Sequence, residues 1–223
     1  MRPDRIALFG YAHVPWMAKN QRMIPEESLP DAAERSAQAE AAAEALLAAG
    51  YVAIGLDHFA LPEDELAIAA RDGHLHRNFQ GYTTDQAATM IGMGATSIGR
   101  TPSGYFQNLT ETGAWSRAVE EGHLPVAKGL PFSADDVMRA EVIERLMCDG
   151  FVDAAAIGRA HGWPEGWWGE AFDALLDMQQ DGLLTLANGK VTMTPKGRPL
   201  VRIAAAAFDA YLQDSTARHS VAV

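Results

Sequence analysis

Tyr51-Val52-Ala53-Ile54-Gly55-Leu56 is an apolar run that ends at the polar pair Asp57-His58. A short apolar run bounded by turn signals reads as a buried strand. The residues before it, Asp31 to Gly50, are alanine-rich and carry strong helix propensity. Asp31 is placed to cap that helix and Gly50 to stop it. Residues 5–12 (Arg-Ile-Ala-Leu-Phe-Gly-Tyr-Ala) read as an earlier short strand. After Asp57-His58, Pro62 to Arg71 reads as a short helix, with acids in its first turn and Gly73 behind it. Met90 to Ala95 is a third strand candidate, and a helix is expected around Thr110 to Glu121. Strands alternating with helices are the signature of parallel βα units. Three parallel strands make an incomplete sheet, so further strands are expected on the N-terminal side.

From about Pro131 the pattern changes. Ser133 can cap a helix running to Cys148, Ala154 to His161 reads as a short helix, and Glu165 to Asp181 as an amphipathic one. Asn188-Gly189 lies between Leu183–Ala187 and Lys190–Thr194, a strong two-residue hairpin signal. Pro199 to Leu212 reads as a last helix with Leu200, Ile203, Ala207, Phe208 and Tyr211 on its inner face. The tail after Gln213 is expected to fray. The expected architecture is α/β: residues 1–130 as the last βα units of a partial (β/α) barrel, and residues 131–223 as a mostly helical, winged-helix-like domain.

Composition narrows the function. Of 223 residues, 48% are hydrophobic and 21% charged, ordinary for a globular chain with a sizeable core. No apolar run approaches the roughly 18 residues of a membrane span, and no leader pattern stands at the N-terminus, so a cytoplasmic location is expected. Net charge is −11. Residues 1–130 carry 10 basic and 16 acidic side chains and residues 131–223 carry 8 and 13, so neither part offers the basic face that nucleic acid requires. The Glu165–Asp181 segment holds five acids and no Lys or Arg, which argues against a DNA-reading helix. Cys148 is the only cysteine and reads as a buried structural thiol. One thiol forms no internal disulfide and cannot hold an iron–sulfur cluster, which takes several thiolates. No histidine spacing typical of a metal site occurs, and His74 and His76 fall in an expected loop.

Polar residues gather behind the strand ends: Tyr11, His13 and Arg22 after the first, Asp57 and His58 after the second, and His76, Arg77, Asn78, Gln80 and Tyr82 before the third. In parallel α/β sheets ligands bind beyond the carboxyl ends of strands. The competing reading is a set of strand-end caps and surface ion pairs worth little each. Gly92-Met93-Gly94 lacks the spacing of a phosphate loop, and its glycines are better explained by close backbone approach.

Four blocks carry a resemblance: Phe9-Gly10-Tyr11-Ala12-His13-Val14-Pro15 with Gln21-Arg22; Gly55-Leu56-Asp57-His58-Phe59-Ala60; Leu75-His76-Arg77-Asn78-Phe79-Gln80-Gly81-Tyr82-Thr83-Thr84; and Gly92-Met93-Gly94. In order and spacing they resemble the oxygen-independent coproporphyrinogen III oxidases, a radical S-adenosylmethionine family. Weaker similarity continues through Thr194-Pro195-Lys196-Gly197-Arg198 and Phe208-Asp209-Ala210-Tyr211-Leu212. The chain departs from the family at Gly10, where Asn is frequent, and across Thr101-Pro102-Ser103-Gly104.

The resemblance implies oxidative decarboxylation of coproporphyrinogen III to protoporphyrinogen IX in haem biosynthesis. A four-iron cluster and S-adenosylmethionine together generate a radical that takes hydrogen from a substrate propionate. The propionate then loses carbon dioxide and becomes vinyl. Two of the family's S-adenosylmethionine contacts match Ala12 and Ile98. The family's three-cysteine cluster motif and glycine-rich cofactor motif are absent from this chain, so it offers no metal ligands and no catalytic residue of its own. Arg22 and Arg77, assisted by His58 or His76, are the candidates for holding propionates. The expected partner is the N-terminal barrel half. The alternative is a non-catalytic fragment that binds porphyrinogen or a partner.

Overall fold

The computed structural model describes residues 2–212. The expected fraying beyond Gln213 falls outside the described residues. The chain mixes short strands and helices, and every strand pairing among the described residues is antiparallel.

The first sheet corrects the parallel expectation. Strand β1 (Arg5–Ala7), helix α1 (Ala32–Ala48) and strand β2 (Val52–Ile54) form as the propensities require, and Asp31 accepts from the Glu34 N–H at the helix start. Gly55, at φ +57°, then turns the chain straight back into β3 (His58–Ala60). Strand β3 inserts between β1 and β2 and pairs antiparallel with both. The outer strands therefore run in the same direction without touching, and Asp57-His58 lies in the turn and first residue of a strand rather than beyond a βα strand end. Helix α2 (Glu65–Arg71) starts later than Pro62, because the Asp64 carboxylate accepts from the Leu66 N–H and caps it there.

The expected polar loop before the third strand is a hairpin. Strand β4 (His76–Asn78) pairs with β5 (Gly81–Thr83), with Arg77 opposite Tyr82. The third strand expected at Met90–Ala95 does not form; Met90 makes an isolated bridge to Arg100, and the glycines that follow lie in irregular chain. A Cβ at Gly92 would stand 2.8 Å from Ser97 Cβ and 2.9 Å from the Ile98 carbonyl, so the close backbone approach expected there is between two segments of this chain. The buried Asn108 amide fixes that loop by donating to the Gly92 and Gly94 carbonyls. Strands β6 (Ile98–Thr101), β7 (Gly104–Asn108) and β8 (Val126–Pro131) make a three-stranded sheet, with helix α3 (Thr112–Glu120) between the last two.

Helix α4 (Ala134–Asp149) is the spine of the remainder. A capping box between Ser133 and Asp136 opens it, and Gly150 in the left-handed region closes it. Its buried residues Met138, Val142 and Leu146 recur every four positions. Each contributes about 1.5–3 kcal/mol of burial. Strand β9 (Phe151–Asp153), helix α5 (Ala154–Ala160) and strands β10 (Leu184–Ala187) and β11 (Lys190–Met193) follow, with β11 central in the sheet. The Asn188-Gly189 turn forms as expected, both residues at positive φ. The expected Glu165–Asp181 helix is instead two short ones, α6 (Gly169–Ala174) and α7 (Leu176–Gln180), meeting at Leu175.

The last helix is shorter than expected. A 3-10 turn at Arg198–Leu200 leads into α8 (Val201–Ala206). Its buried face is Val201, Ala204 and Ala205 with Phe208, while Ile203 and Tyr211 are more than half exposed. The smaller residues face inward because they let α8 approach α4 closely, which the bulkier stripe does not. Among the described residues no helix is long and apolar enough to cross a membrane.

Candidate functional site

Two of the four candidate substrate-binding residues, Arg77 and His58, meet at the Tyr82 ring. Arg77 lies over it, with its guanidinium carbon 5.4 Å from the ring centre. His58 meets it edge-on at 5.2 Å. His76 neighbours Arg77 on β4. Close packing makes this possible: a Cβ at Gly55 would stand 2.0 Å from the Tyr82 ring, and one at Gly81 would stand 3.0 Å from the His58 ring. Both glycines also sit at positive φ, so neither position accepts a side chain without strain.

The Tyr82 hydroxyl donates to the Met147 carbonyl and accepts from the Leu56 N–H, each at 3.0 Å. Burial raises the phenol's pKa against the opposing pull of the Leu56 hydrogen bond and the Arg77 charge. The phenol thus stays neutral and keeps its proton, which it donates to the Met147 carbonyl.

Both histidines are oriented alike. His58 Nδ1 is 2.6 Å from the Asp57 carboxylate, and His76 Nδ1 is 3.0 Å from Glu144 on α4. An ionised carboxylate only accepts, so each Nδ1 carries the proton and each Nε2 is the nitrogen left for other work. Glu144 also accepts from the Arg77 backbone N–H at 3.1 Å. The segment reading missed Glu144 because nothing local marks it: it is one of several acids on α4, 68 residues from His76.

Arg77 has no ion pair among the described residues, and its Nε is buried with no hydrogen-bond partner. Surface pairing with nearby acids is therefore not what holds it. Arg22 is separate from this cluster. Its Nε donates to the Pro15 carbonyl at 3.1 Å, within a loop where Gln21 ties Val14 N–H and the Ala12 carbonyl together. That loop leaves the first sheet beside the second candidate block, since Leu8 N–H donates to the Asp57 carbonyl. Ile98 lies on β6, opposite Gln107. The Phe79 ring at the hairpin turn stacks edge-on with Tyr105 of β7, which connects the Arg77 hairpin to the sheet that carries Ile98.

The thiol of Cys148 is buried beneath this region, and desolvation pushes its pKa up to about 12. Among the described residues no group of three or more His, Cys, Asp or Glu could hold a metal ion. Two shallow depressions, of 320 and 420 Å³, have Glu65 and His74, and Tyr105 and Leu130, in their walls, and neither includes Arg77, His58 or His76.

A family model described as the HemN C-terminal domain matches residues 132–200. An oxygen-independent coproporphyrinogen III oxidase of Bradyrhizobium diazoefficiens is 44% identical over 223 residues, 100% of this chain and 50% of the relative. A relative of the same name from Thermostichus vulcanus is 40% identical over 218 residues, 97% of this chain and 67% of the relative. Among solved structures, the Escherichia coli coproporphyrinogen III oxidase HemN, described as a radical SAM enzyme, superposes with a TM-score of 0.88 at 35% identity, over 95% of this chain and 49% of that one. The chain spans about half the length of most of the curated relatives it matches.

Proposed function

The chain belongs to the oxygen-independent coproporphyrinogen III oxidase family, and on that premise we propose that it is the C-terminal part of an enzyme that oxidatively decarboxylates coproporphyrinogen III to protoporphyrinogen IX. The observation that carries the site is Arg77, a half-buried cation whose Nε is unpartnered and whose guanidinium makes no ion pair among the described residues. Desolvating a charge without a counter-charge is costly. A substrate propionate is the counter-charge that Arg77 lacks, and guanidinium can bind it bidentately. His58, beside the Tyr82 ring, and His76, next to Arg77 on β4, assist in holding it through Nε2. Arg22, on the loop that leaves β1, takes a second propionate.

The residues present do not fit an iron–sulfur cluster. The single thiol is buried and stays protonated at neutral pH. A cluster would have to be ligated by the part of the relatives that this chain does not span. S-adenosylmethionine, if bound and reduced by that cluster, would supply the radical that takes hydrogen from the propionate. Toward it this chain offers Ala12 and Ile98, an exposed apolar residue whose carbonyl is held by Gln21 and an apolar residue at the head of β6. Both contribute shape and backbone contact, and neither moves a proton. By itself the chain would bind porphyrinogen without turning it over, and the lone buried thiol favours that reading for the isolated part.

The remaining assignments follow from the same premise. Residues 1–130 are read as the last part of a partial (β/α) barrel. Residues 131–223 are read as a winged-helix-like domain in which the Asn188-Gly189 hairpin is the wing. The first part carries large exposed apolar side chains in and beside the blocks that carry the resemblance, among them Phe9, Met17, Met23, Ile91 and Met93. Exposure of that kind supports a covering partner, here the N-terminal half. The fusion of this chain to the uncovered half of a full-length family member tests the proposal. Assayed without oxygen, it should form protoporphyrinogen IX; a folded fusion with its cluster in place and no product overturns it.

A further inference from the structure

Glu144 stands where two parts of the chain meet. Its Oε1 accepts from His76 Nδ1 at 3.0 Å and from the Arg77 N–H at 3.1 Å, and Arg145 Nη2 lies 4.0 Å from the same oxygen. The next side chain along α4 acts on the same strand, because Arg145 Nη2 donates to the Leu75 carbonyl at 2.6 Å. Residues 75–77 of the hairpin are thus clipped to one turn of α4 at three points. Arg145 is itself held by Asp149 at 3.2 Å, so the clip rests on an ion pair within the helix.

We propose that Glu144 is a positioning residue for the propionate-binding pair His76 and Arg77. This rests on the reading of those two residues as substrate contacts. Its carboxylate fixes a proton on His76 Nδ1 and leaves Nε2 facing away from it, as a carboxylate does behind a metal-bound or catalytic histidine. Its second bond holds the Arg77 backbone, which keeps the guanidinium over Tyr82 with Nε unpartnered. Glu144 lies within the stretch matched by the C-terminal family model, and the two residues it positions lie before it. The C-terminal region thereby sets the geometry of a site on the preceding one. No local sequence signal shows this, since a Glu on a helix ordinarily reads as a solvated charge.

The variants Glu144→Met and Glu144→Gln separate positioning from packing. Met keeps the side-chain volume and has no oxygen; Gln keeps an acceptor. In the ¹⁵N-labelled chain, long-range proton–nitrogen correlation spectra report the His76 tautomer, with the resonance assigned through His76→Gln. Wild type should show the proton on Nδ1, Glu144→Gln should largely retain it, and Glu144→Met should release the ring to the Nε2–H form. Affinity for coproporphyrin III, the stable oxidised porphyrin, should fall at least about tenfold in Glu144→Met and by much less in Glu144→Gln. An unaltered His76 tautomer or affinity in Glu144→Met, in a protein whose Arg77→Lys variant is weakened, overturns the inference and leaves the propionate reading standing. Equal losses in the Met and Gln variants also overturn it, because packing would then be the whole effect. No binding by wild type, or equal binding by Arg77→Lys, overturns the propionate reading and the inference with it.

Discussion

The Tyr82 hydroxyl donates to the carbonyl of Met147, 65 residues later, and so joins the β4–β5 hairpin to the last turn of α4. That carbonyl is one of the four at a helix end with no partner inside the helix. The same hydroxyl satisfies the Leu56 N–H behind the Gly55 turn. Tyr82→Phe preserves the packed ring and strands both groups. It should lower unfolding stability by about 1–3 kcal/mol, the cost of leaving buried polar groups unmade. Urea denaturation checks this; a midpoint equal to wild type would show that water replaces the hydroxyl at no cost.

Cys148 should be inert while the chain is folded. With burial pushing its pKa up to about 12, it is mostly protonated across the ordinary pH range. At about pH 8 roughly one thiol in ten thousand is then ionised, against roughly a quarter for an unperturbed cysteine. Labelling by iodoacetamide should be slow in native buffer and fast in denaturing urea. Equal rates in the two conditions would place the thiol at the surface.

The start of α4 should be acid-sensitive. The Ser133 N–H and hydroxyl both donate to Asp136, and the backbone bond holds the Asp136 carboxyl below its ordinary pKa. A carboxylate with a depressed folded pKa adds stability above its unfolded pKa, and that stability is lost as pH falls through the folded one. Thermal melts should therefore show Asp136→Asn destabilised at neutral pH, with the gap from wild type narrowing below about pH 4. A gap that is constant with pH would mean that Asp136 acts only as a neutral cap.

Much of the local structure was legible because its causes are local. Asp31 and Ser133 cap the helices they precede, and Asn188-Gly189 supplies the positive φ values of its turn. The strand pairing was not legible. Tyr51–Leu56 looks the same whether its neighbour is parallel or antiparallel, and the deciding feature is the turn at Gly55 that brings His58–Ala60 into the gap. The inner stripe of α8 misled for a related reason: Ile203 and Tyr211 are the larger apolar residues, yet close helix approach selects Ala204 and Ala205. At the candidate site His58, His76 and Arg77 stand out in the sequence through motif density alone. The meeting of His58 with Tyr82, and the part played by Glu144, depend on contacts 24 and 68 residues apart in sequence that no short window along the chain contains.

The central claim is that arginines of this chain hold the propionates of a four-carboxylate substrate despite a net charge of −11. Steady-state kinetics of Arg77→Lys and Arg22→Lys, made in the fusion with the uncovered half of a family member, test it most directly. Lysine keeps the charge and loses the bidentate geometry. The fold and cofactor content should be retained in both variants. In Arg77→Lys, kcat/KM for coproporphyrinogen III should drop at least about tenfold, roughly 1.4 kcal/mol. Unchanged kinetics in both variants would contradict the account.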